Sequence, residues 1–580
     1  MRYRWLEPDG VAPADGGGDE GILRALLARR GMTAPEAVDA FLQPHPARLA
    51  DPFLMADLGR AVDRLGLAHR RGETVAIYGD YDVDGLTSTA LLWRALSGMG
   101  FTVRPYLPHR VRDGYGLNVG AIDRLAAEGA SLLVAVDCGV GDHAEVAHAR
   151  ALGLDVIVLD HHHVPDALPE AVAVVNPHRR DCAYPYKEQA AVGVAYTLVR
   201  ALVGEGYSLG GRWEEDELDL HDLLELVALG TVADVVPLHG ENRILVAGGL
   251  QVLRETQHPG LRALYAVAGL DPARLRAWHI GYVLGPRLNA AGRIAEPELA
   301  LRLLLTDSPE EAAQLARQLD GLNRERQREL ARIIGEATAR LEAVGPLDEA
   351  RRLIQLDGEG WTAGVAGLVA GRLAERYSRP VVILERGAGF SRGSARSIDG
   401  FNIVEALAEC QDLLDHYGGH AKAAGLSVAN EHLEALNERL LTLATARLSA
   451  EQLRPTLALD LEVSVAALTH ATVDLLTQLE PCGHGNPEPL LLLRGVAPRW
   501  PKDSHDGKHL FCTIPTGDRR GVRGVRAVAF GQGERLDELR GAGRAGVDLA
   551  GTLRREWWQD EERLEFHVRD FRPAASRQMS

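Results

Sequence analysis

Three aspartates spaced two residues apart directly follow a buried strand, and this stretch constrains the fold more than any other. Residues 75–78 (VAIY) form an apolar run bounded by turn residues, which is typical of a strand covered on both faces. Asp80, Asp82 and Asp84 come next, and in an extended backbone their carboxylates project to the same side. Because three like charges repel, a divalent cation between them is the usual solution. The alternative for this stretch alone is an acidic surface loop.

A helix is predicted directly after this acidic loop. Gly85 allows the backbone to leave the extended conformation. Thr87 or Ser88 is then placed to cap a helix over residues 85–98. From residue 74 onward, strand and helix patterns alternate, which indicates a parallel α/β domain. The further predicted elements are a strand at 102–107, a helix at 119–128, a strand at 132–136, a helix near 144–152, a strand at 156–159 and an apolar run at 171–175.

Polar side chains able to bind a metal follow successive strands of this predicted sheet. Ligands of open α/β sheets collect outside the carboxyl ends of the strands, so these side chains are expected to meet. A further carboxylate lies in a loop after the apolar helix at 223–229. Taken singly, each Asp is explained by a turn cap and each His by core packing, but jointly they predict metal binding. The groups concerned are Asp137, Asp160, His161, His162, His163 and Asp234.

The net charge limits how the chain can bind a polyanion. The sequence has 580 residues, which at about 150 residues per domain suggests three or four domains. A formal net charge of -17 argues against indiscriminate coating of nucleic acid, so a polyanion must be held by a local patch or by bound cations. Only four of the 64 basic residues are lysine, so arginine is the default cation and arginine clusters are weak evidence of function.

The cellular compartment is predicted from what the sequence lacks. The five cysteines show no CxxC spacing, and the N-terminal residues contain no apolar signal-peptide core. No run of about 18 apolar residues occurs. We therefore expect a cytoplasmic protein without a membrane span.

A long connector and a second α/β unit follow the first domain. Residues 299–341 are predicted to be helical almost throughout, with Ser308 and Glu311 as a capping box. The second unit has predicted strands at 353–356 and 380–384 around a helix at 363–377.

Two glycine-rich segments are then predicted as polar loops. They are residues 393–400 (GSARSIDG) and 418–425 (GGHAKAAG). Small residues permit a close backbone approach, and Arg396, His420 and Lys422 supply hydrogen-bond donors, so the loops could cradle a phosphate. An ordinary surface turn is the competing interpretation.

Beyond residue 455 short alternating strands dominate, and a small β-barrel of the OB type is predicted. Its basic and aromatic residues suit backbone neutralisation and base stacking on a single strand, with core aromatics as the alternative. These residues are Arg494, Arg499, Trp500, Lys502, Lys508, Phe511 and Phe530.

Four motifs resemble those of the DHH phosphoesterase superfamily: DYDVDG at 80–85, VDCG at 136–139, DHH at 160–162 and VADVVPL at 232–238. Four others narrow the resemblance to single-strand-specific exonucleases of that superfamily. They are GPRLNAAGR at 285–293, SARS at 394–397, GGHAKAAG at 418–425 and PCGHGNPEP at 481–489. The family usually reads PFG where this chain has PCG, and the DHH motif is here extended by His163.

The resemblance covers about residues 50–575 and implies a multidomain α/β architecture. Its expected parts are a parallel-sheet DHH domain, a long connector helix, a smaller α/β DHH-associated domain and a C-terminal OB-fold β-barrel. The expected boundaries are an N-terminal segment at 1–70, the DHH domain at 71–240, a helical region at 241–345, the DHH-associated domain at 346–452 and the OB fold at 453–580.

The resemblance also implies an activity. The expected reaction is 5′ to 3′ hydrolysis of single-stranded DNA to mononucleotides in recombination and repair, with two Mn²⁺ or Mg²⁺ ions per active site. A helicase and a single-strand-binding protein are the expected partners. Related DHH enzymes that hydrolyse short oligonucleotides, cyclic dinucleotides or pyrophosphate generally lack an OB-type domain. Non-catalytic DHH scaffolds are the other alternative, and the intact aspartates argue against that reading.

Roles for individual residues follow from the same resemblance. The implied metal ligands are Asp80, Asp82, Asp84, Asp137, His161 and Asp234, with Asp137 as the bridge. His162 is expected to contact the scissile phosphate or the leaving oxygen, and Asp160 to fix the neighbouring rings. The implied DNA and phosphate contacts are Arg110, Tyr115, Arg287, Ser394, Arg396, Gly419 and His420.

Overall fold

In the computed structural model, which describes residues 3–7, 18–110, 112–207, 219–345, 347, 350–516, 524–542, 546–558 and 561–574, the acidic loop lies at the end of a parallel sheet. All five strands of this sheet run parallel, as the alternating sequence pattern predicts. Their order across the sheet is Thr102–Tyr106, Thr74–Tyr78, Ala130–Val136, Asp155–Leu159 and Ala173–Val175.

Both faces of this sheet are covered by helices. Alternate residues of the strand Thr74–Tyr78 enter different apolar cores, Val75 and Ile77 on one side and Ala76 and Tyr78 on the other. Because both faces are dry, polar side chains can reach a ligand only at the strand ends. The helices of this part of the chain are Leu58–Arg71, Val83–Gly98, Val119–Ala127, His143–Ala151, Ala191–Gly204, Leu224–Ala233, Gly240–Glu255, Pro259–Ala268, Ala277–His279, Gly285–Ile294 and Glu298–Leu305.

Contacts between elements divide the chain into two compact units. One unit comprises Asp39–Gln327 and Glu480–Pro487, and it contains the parallel sheet. The other comprises Met1–Val38, Arg328–Leu479 and Glu488–Ser580.

The predicted cap of the helix after the acidic loop is wrong. The helix is Val83–Gly98, and its N-cap is Asp82, whose Oδ1 accepts hydrogen bonds from the N–H groups two and three residues later at 2.9 and 3.2 Å. Thr87 and Ser88 are buried inside the helix instead. A carboxylate at the first turn satisfies free N–H groups and complements the helix dipole, so the helix begins before Gly85. The backbone is therefore not extended through all three aspartates.

The predicted connector is two helices, Glu298–Leu305 and Pro309–Ala343, rather than one. The Ser308 hydroxyl accepts a hydrogen bond from the Glu311 N–H at 3.2 Å, as a capping box requires. The reciprocal bond is missing, because the Glu311 carboxylate accepts from the Thr306 hydroxyl at 2.6 Å and the Ser308 N–H donates to that hydroxyl at 3.2 Å. Thr306 thus competes for both partners and ends the first helix.

The second unit contains a five-stranded mixed sheet flanked by helices Ala363–Tyr377, Ile403–Ala408 and Leu433–Arg447. The two glycine-rich segments predicted as loops lie in its strands at 393–396, 418–420 and 423–425, so the loop prediction is wrong there and correct only for residues 397–400 and the turn at 421–422. Small residues let the strands pair closely: a Cβ on Gly393 would lie 1.9 Å from the Ile383 carbonyl oxygen. The strand order is Leu414–His420, Ala423–Ala429, Phe390–Arg396, Val381–Arg386 and Ile354–Gly358.

A seven-stranded sheet forms the C-terminal part of the same unit, with helices His470–Thr477 and Leu536–Gly541. The short strand Arg4–Leu6 pairs with Thr456–Ala458, and the Trp5 indole N–H donates to the buried Asp570 carboxylate at 2.8 Å. The strand order of the larger sheet is Leu461–Glu462, Leu491–Val496, Val547–Trp558, Glu561–Pro573, Gly524–Ala529, Leu510–Pro515 and Arg499–Asp503.

Within the described ranges, no helix combines the length and the apolar character needed to cross a membrane.

The buried ion pair between Arg94 and Glu225 gives a test of the packing around the sheet. The two side chains are 2.8 Å apart and 13% and 5% exposed. We expect Arg94→Met to lower the free energy of unfolding by about 3–5 kcal/mol, because it leaves the Glu225 charge buried without its partner. The exposed pair of Arg104 and Glu128 provides the control, and Arg104→Met should change stability by about 0–1 kcal/mol. Equal effects of the two substitutions in denaturant unfolding would contradict this assignment.

Candidate metal centre

The side chains predicted to bind metal converge at the carboxyl edge of the parallel sheet. Among the described residues, three groups of side chains each place their ligand atoms within 4.8 Å of one another. All six predicted ligands belong to these groups, and the groups share members, so they form one continuous cluster. The groups are Asp80, Asp82 and Asp137; Asp84, His161 and Asp234; and Asp137, His161 and His162.

His161 lies at the middle of this cluster. Its Nε2 is 3.3 Å from an Asp137 oxygen, 3.8 Å from Asp84 and 3.7 Å from Asp234. A hydrogen bond to the backbone of Gln189 orients the ring. Burial, with the neighbouring His162, lowers the pKa of His161 to about 3. The imidazole is therefore neutral, which is the form that binds a metal ion.

Asp137 connects the two sides of the cluster. It follows the strand Ala130–Val136, and its backbone has a left-handed φ of 65°, a conformation that Asp adopts more readily than most residues. Its Oδ1 lies 3.3 Å from His161 and 3.8 Å from His162, and its carboxylate also groups with Asp80 and Asp82. Strained backbone of this kind is concentrated at functional sites.

Two aspartates of the first motif are fixed by close backbone contacts. A Cβ on Gly85 would lie 2.5 Å from the Asp80 nitrogen, so only glycine lets the helix approach Asp80 this closely. The Asp84 oxygens accept hydrogen bonds from the N–H groups of Ala191 and Val192 at 2.7 and 2.9 Å. These donors open the helix Ala191–Gly204 and place Asp84 in the buried cluster.

The electrostatics of the cluster call for a cation. Among the residues that the structure describes, Asp80 Oδ1 and His161 Nε2 are buried without a hydrogen-bond partner. Burial, followed by repulsion from neighbouring aspartates, raises the pKa of Asp84 to about 7 and those of Asp80, Asp137 and Asp234 well above the usual range. A donor set of carboxylates with one imidazole suits Mn²⁺ or Mg²⁺ better than Zn²⁺.

Asp160 and His162 form an oriented pair beside the cluster. One Asp160 oxygen accepts from His162 Nδ1 at 2.8 Å and from the His161 and His162 N–H groups at 2.8 and 3.0 Å. Burial opposes ionisation of both side chains, but their mutual hydrogen bond and attraction outweigh it. The pKa of Asp160 is therefore lowered and that of His162 is raised, so His162 can present a proton at the edge of the site.

Two of the predicted DNA contacts adjoin this pair. The Tyr115 hydroxyl lies 3.2 Å from His162 Nδ1 and donates to the Asp137 carbonyl at 3.3 Å, while the residue remains 54% exposed. The Arg110 guanidinium carbon lies 5.0 Å from the centre of the Tyr81 ring, and its charge opposes the rise in the pKa of Asp80. Both side chains thus lie at the rim of the metal cluster.

Arg287, another predicted phosphate contact, has a protein partner. It lies in the helix Gly285–Ile294, and its Nε donates to Asp320 at 3.1 Å while Nη1 donates to the Val283 carbonyl at 2.8 Å. A phosphate bound here would share the guanidinium with Asp320.

The remaining predicted phosphate contacts lie together in the second unit. Ser394 and Arg396 are alternate residues of one strand, so they face the same side. A Cβ on Gly367 would lie 3.4 Å from the Ser394 hydroxyl and 2.8 Å from Arg396 Nη2. The hairpin that contains Gly419 and His420 pairs directly with this strand.

In the barrel, the predicted nucleic-acid residues have different surroundings. Arg494 forms ion pairs with Glu462 at 2.8 Å and Asp548 at 3.4 Å, so it joins parts of the domain. Trp500 and Phe530 are 57% and 55% exposed, which keeps their rings available for stacking.

Two polar residues that position the histidines escaped the sequence analysis. Asn176 is fully buried, and its amide donates to the His162 carbonyl at 3.0 Å. Gln189 bonds the His161 ring through its backbone. Asn176 directly follows the strand Ala173–Val175, so the strand-end argument used for Asp137 would have identified it. The role of Gln189 has no local sequence signal.

Comparison with known proteins tests the fold. Residues 74–231 match the model of the DHH family, N-terminal domain, residues 350–446 match the DHHA1 domain, and residues 459–570 match the RecJ OB domain. The order of these three domains confirms the predicted fold class: a parallel-sheet DHH domain, a smaller DHH-associated domain and a C-terminal OB fold.

Named relatives match most of the chain. The single-stranded-DNA-specific exonuclease RecJ of Bacillus subtilis (strain 168) is 36% identical over 552 residues, covering 95% of this chain and 67% of that protein. The RecJ of Escherichia coli (strain K12) is 38% identical, covering 81% of this chain and 82% of the other. The crystal structure of RecJ from Thermus thermophilus in complex with Mn²⁺ superposes with a TM-score of 0.81 at 30% identity, covering 99% of this chain and 80% of that one.

A DHH domain with a buried carboxylate and histidine cluster, joined to DHHA1 and OB domains, defines a metal-dependent phosphoesterase that acts on nucleic acid. The Thermus thermophilus RecJ has been crystallised with Mn²⁺ and with Mg²⁺, the ions that this donor set suits. The chain belongs to the RecJ family of single-stranded-DNA-specific exonucleases.

The raised carboxyl pKa values predict how metal and pH act together on stability. A carboxyl whose pKa is raised by folding contributes stability below its unfolded pKa of about 3.9 and loses it as the pH rises through the folded value. For Asp84 that folded value is about 7. Mn²⁺ should offset the repulsion that appears on ionisation. We therefore expect the gain in unfolding temperature on replacing chelator with Mn²⁺ to grow from about pH 5 to about pH 8, as measured by scanning calorimetry.

The matched control is a surface carboxylate. Asp123 is 55% exposed and pairs with His148, so Asp123→Asn should leave the pH-dependent gain unchanged, whereas Asp80→Asn should reduce it. A gain that is constant across this pH range in the unsubstituted protein would show that the cluster does not take up the metal as described.

Proposed function

We propose that this chain is an exonuclease that degrades single-stranded DNA from the 5′ end to mononucleotides in recombination and repair. The observation that carries the proposal is the buried cluster of Asp and His ligands in a chain whose full domain order matches the RecJ family. An enzyme of this kind needs its strand unpaired, so a helicase and a single-strand-binding protein are the proposed partners. The proposed compartment is the cytoplasm.

We assign the ligands to two Mn²⁺ or Mg²⁺ ions. Asp80 and Asp82 would hold one ion, Asp84, His161 and Asp234 would hold the other, and Asp137, whose carboxylate groups with both sets, would serve both. When bound, two such ions supply an activated water and neutralise charge on the phosphate undergoing hydrolysis. The close contacts of Asp80 and Asp84 with the backbone keep these carboxylates in place before the substrate arrives.

The adjacent histidines have different tasks in this proposal. His161 is neutral and binds metal, whereas His162 keeps a proton through its bond to Asp160. His162 then donates a hydrogen bond to an oxygen of the scissile phosphate or to the leaving oxygen as negative charge accumulates there. The Tyr115 hydroxyl limits the rotation of that imidazole, because it lies 3.2 Å from Nδ1. The Tyr115 ring also has an exposed face on which a base can stack.

Recognition of the strand end requires groups outside the metal cluster. Within the second unit we assign Ser394 and Arg396 to the terminal 5′-phosphate, and the hairpin residues Gly419 and His420 to the following phosphates. Within the unit that contains the metal cluster, Arg110 and Arg287 are the proposed phosphate contacts. Ser394 and Arg396 lie on one face of a strand, and the small Gly367 lets the backbone of its helix approach both side chains closely.

Removal of the shared ligand tests the proposed reaction. Asn tolerates left-handed backbone as well as Asp does, so Asp137→Asn removes a charge and leaves the local conformation at φ 65° accessible. We expect the wild-type protein with Mn²⁺ to release mononucleotides from a long 5′-labelled single strand, and Asp137→Asn to release almost none. Duplex DNA and a dinucleotide serve as comparison substrates. Near-normal activity of Asp137→Asn would refute the two-metal assignment.

Substitution of Arg396 tests the proposed 5′-phosphate site. A guanidinium binds phosphate through two parallel hydrogen bonds, which an ammonium cannot reproduce. We expect Arg396→Lys to lower kcat/KM on 5′-phosphorylated strands by about tenfold or more, the value of a charged hydrogen bond, with a smaller effect on 5′-hydroxyl strands.

Arg386 lies in the same sheet and pairs with Asp357 on the surface, so Arg386→Lys is the matched control and should act like the wild-type enzyme on both substrates. If Arg396→Lys affects both substrates equally, the residue does not read the terminal phosphate.

A further inference from the structure

Two exposed aromatic rings stack on each other beside the metal cluster. The Trp278 and Tyr282 ring centres are 5.4 Å apart and the ring planes are inclined by 21°, while the residues are 50% and 66% exposed. An exposed Tyr and Trp in contact leave a flat apolar surface in water, and such surfaces are uncommon unless they bind something. We call this pair the aromatic platform.

The platform adjoins the helix that ends at Asp234. A Cβ on Gly281 would lie 3.8 Å from Val232 Cγ1, and a Cβ on Gly285 would lie 3.6 Å from the Ala233 Cβ. Tyr282 directly follows Gly281, and Asp234 is the C-cap of the helix Leu224–Ala233, so the backbone segment that carries Tyr282 packs against the last turn of the helix that Asp234 ends. The platform is therefore next to one end of the metal cluster.

The backbone that carries the platform is held rigidly. Residues Ile280–Leu284 form a π-helix, a rare conformation that occurs frequently at functional sites. Its end residues Ile280 and Leu284 are fully buried, whereas Tyr282 between them points outward. The preceding turn is fixed by a hydrogen bond from the Arg276 N–H to His279 Nδ1 at 3.0 Å. A rigid mount lowers the entropic cost of binding a ligand on the rings.

We propose that the aromatic platform stacks on bases of the single-stranded DNA that lies across the metal cluster, and that this stacking contributes to the affinity for the strand. This inference rests on the proposed exonuclease function and adds a subsite to it. Every base has a flat π-face, so such a platform binds a strand without selecting its sequence. A duplex keeps its bases stacked inside and cannot use it.

The chemistry of the platform favours bases over a protein partner. Its surface consists of two parallel rings rather than a groove lined by aliphatic side chains, and the same helical segment continues into Gly285–Ile294, which carries Arg287. Rings for bases and a guanidinium for phosphates on one segment match the alternating chemistry of a nucleotide chain. The net charge of -17 makes uncharged stacking especially useful, because it does not depend on neutralising the backbone.

The first test compares alanine variants on one long 5′-phosphorylated single strand. Loss of base stacking by alanine substitution corresponds to about 5- to 150-fold in affinity, so Trp278→Ala and Tyr282→Ala should raise KM in this range. The kcat at saturating strand should change much less, because neither ring is a metal ligand. Phe53 is also an exposed aromatic residue of the same unit, at 45% exposure, so Phe53→Ala is the matched control and should keep the wild-type KM.

The second test removes the bases instead of the rings. The substrate is a strand with abasic residues near the cleaved end. On this strand the wild-type protein and Trp278→Ala should have the same KM, because neither can stack a ring on a base. Trp278→Phe and Tyr282→Phe keep a ring and should restore most of the affinity for the normal strand. A structural defect would persist on the abasic strand and would not depend on an aromatic replacement.

The possible outcomes distinguish failure of the platform proposal from failure of the proposed exonuclease function. If the wild-type protein degrades no single-stranded DNA, the proposed function fails; if it does and the alanine variants keep the wild-type KM, only the platform proposal fails. A KM defect that persists on the abasic strand overturns the proposal. So does normal degradation of naked DNA combined with loss of stimulation by a single-strand-binding protein, since the platform would then be a protein-docking surface. Unfolding temperatures equal to that of the wild type identify variants that have folded.

Discussion

Mutual repulsion among buried carboxylates is the constraint on which the rest of this structure depends. Asp80, Asp84, Asp137 and Asp234 meet at one edge of the sheet, and burial together with repulsion raises all four pKa values. Such a cluster is unstable unless the scaffold forces the groups together and a cation offsets their charge. The two dry faces of the sheet supply the first condition, because they leave polar groups no other place than the strand ends. The carboxylate and imidazole ligands meet the second condition, because they can bind a divalent cation.

The same environment gives two neighbouring histidines opposite protonation states. His161 is buried among ligands, next to a second imidazole, and its pKa falls to about 3. His162 bonds the Asp160 carboxylate, which keeps its own pKa low and raises that of the ring. Enzymes often assign roles by separating the pKa values of adjacent groups. Here burial lowers the pKa of His161, while the hydrogen bond to Asp160, itself held by N–H groups of the DHH segment, raises that of His162.

The sequence predicts the fold well where the signal is local, and less well where it depends on distant partners, and the predicted metal ligands lie together in the structure. The strands of the parallel sheet and the polar residues that follow them are predicted from the sequence, because a sheet covered on both faces needs strands that are continuously apolar. The predicted cap at Thr87 or Ser88 is wrong because Asp82 starts the helix earlier. The loop prediction for the glycine-rich segments fails where residues 418–425 form a hairpin and residues 393–396 pair with that hairpin and with the strand Val381–Arg386. Gln189 could not be found at all, since it acts through its backbone.

Binding DNA presents this acidic chain with an electrostatic difficulty that its architecture answers in two ways. A protein of net charge -17 with four lysines cannot rely on general attraction to a polyanion. Two bound cations would offset most of the charge of the ligand carboxylates, so a phosphate could approach a place that is strongly repulsive without metal. Away from the ions, exposed rings such as Trp278 and Tyr282 provide a surface that binds bases by stacking, and stacking does not depend on the charge of the protein. Single-strand specificity then follows from the chemistry of the contacts, because bases are available for stacking only when they are unpaired.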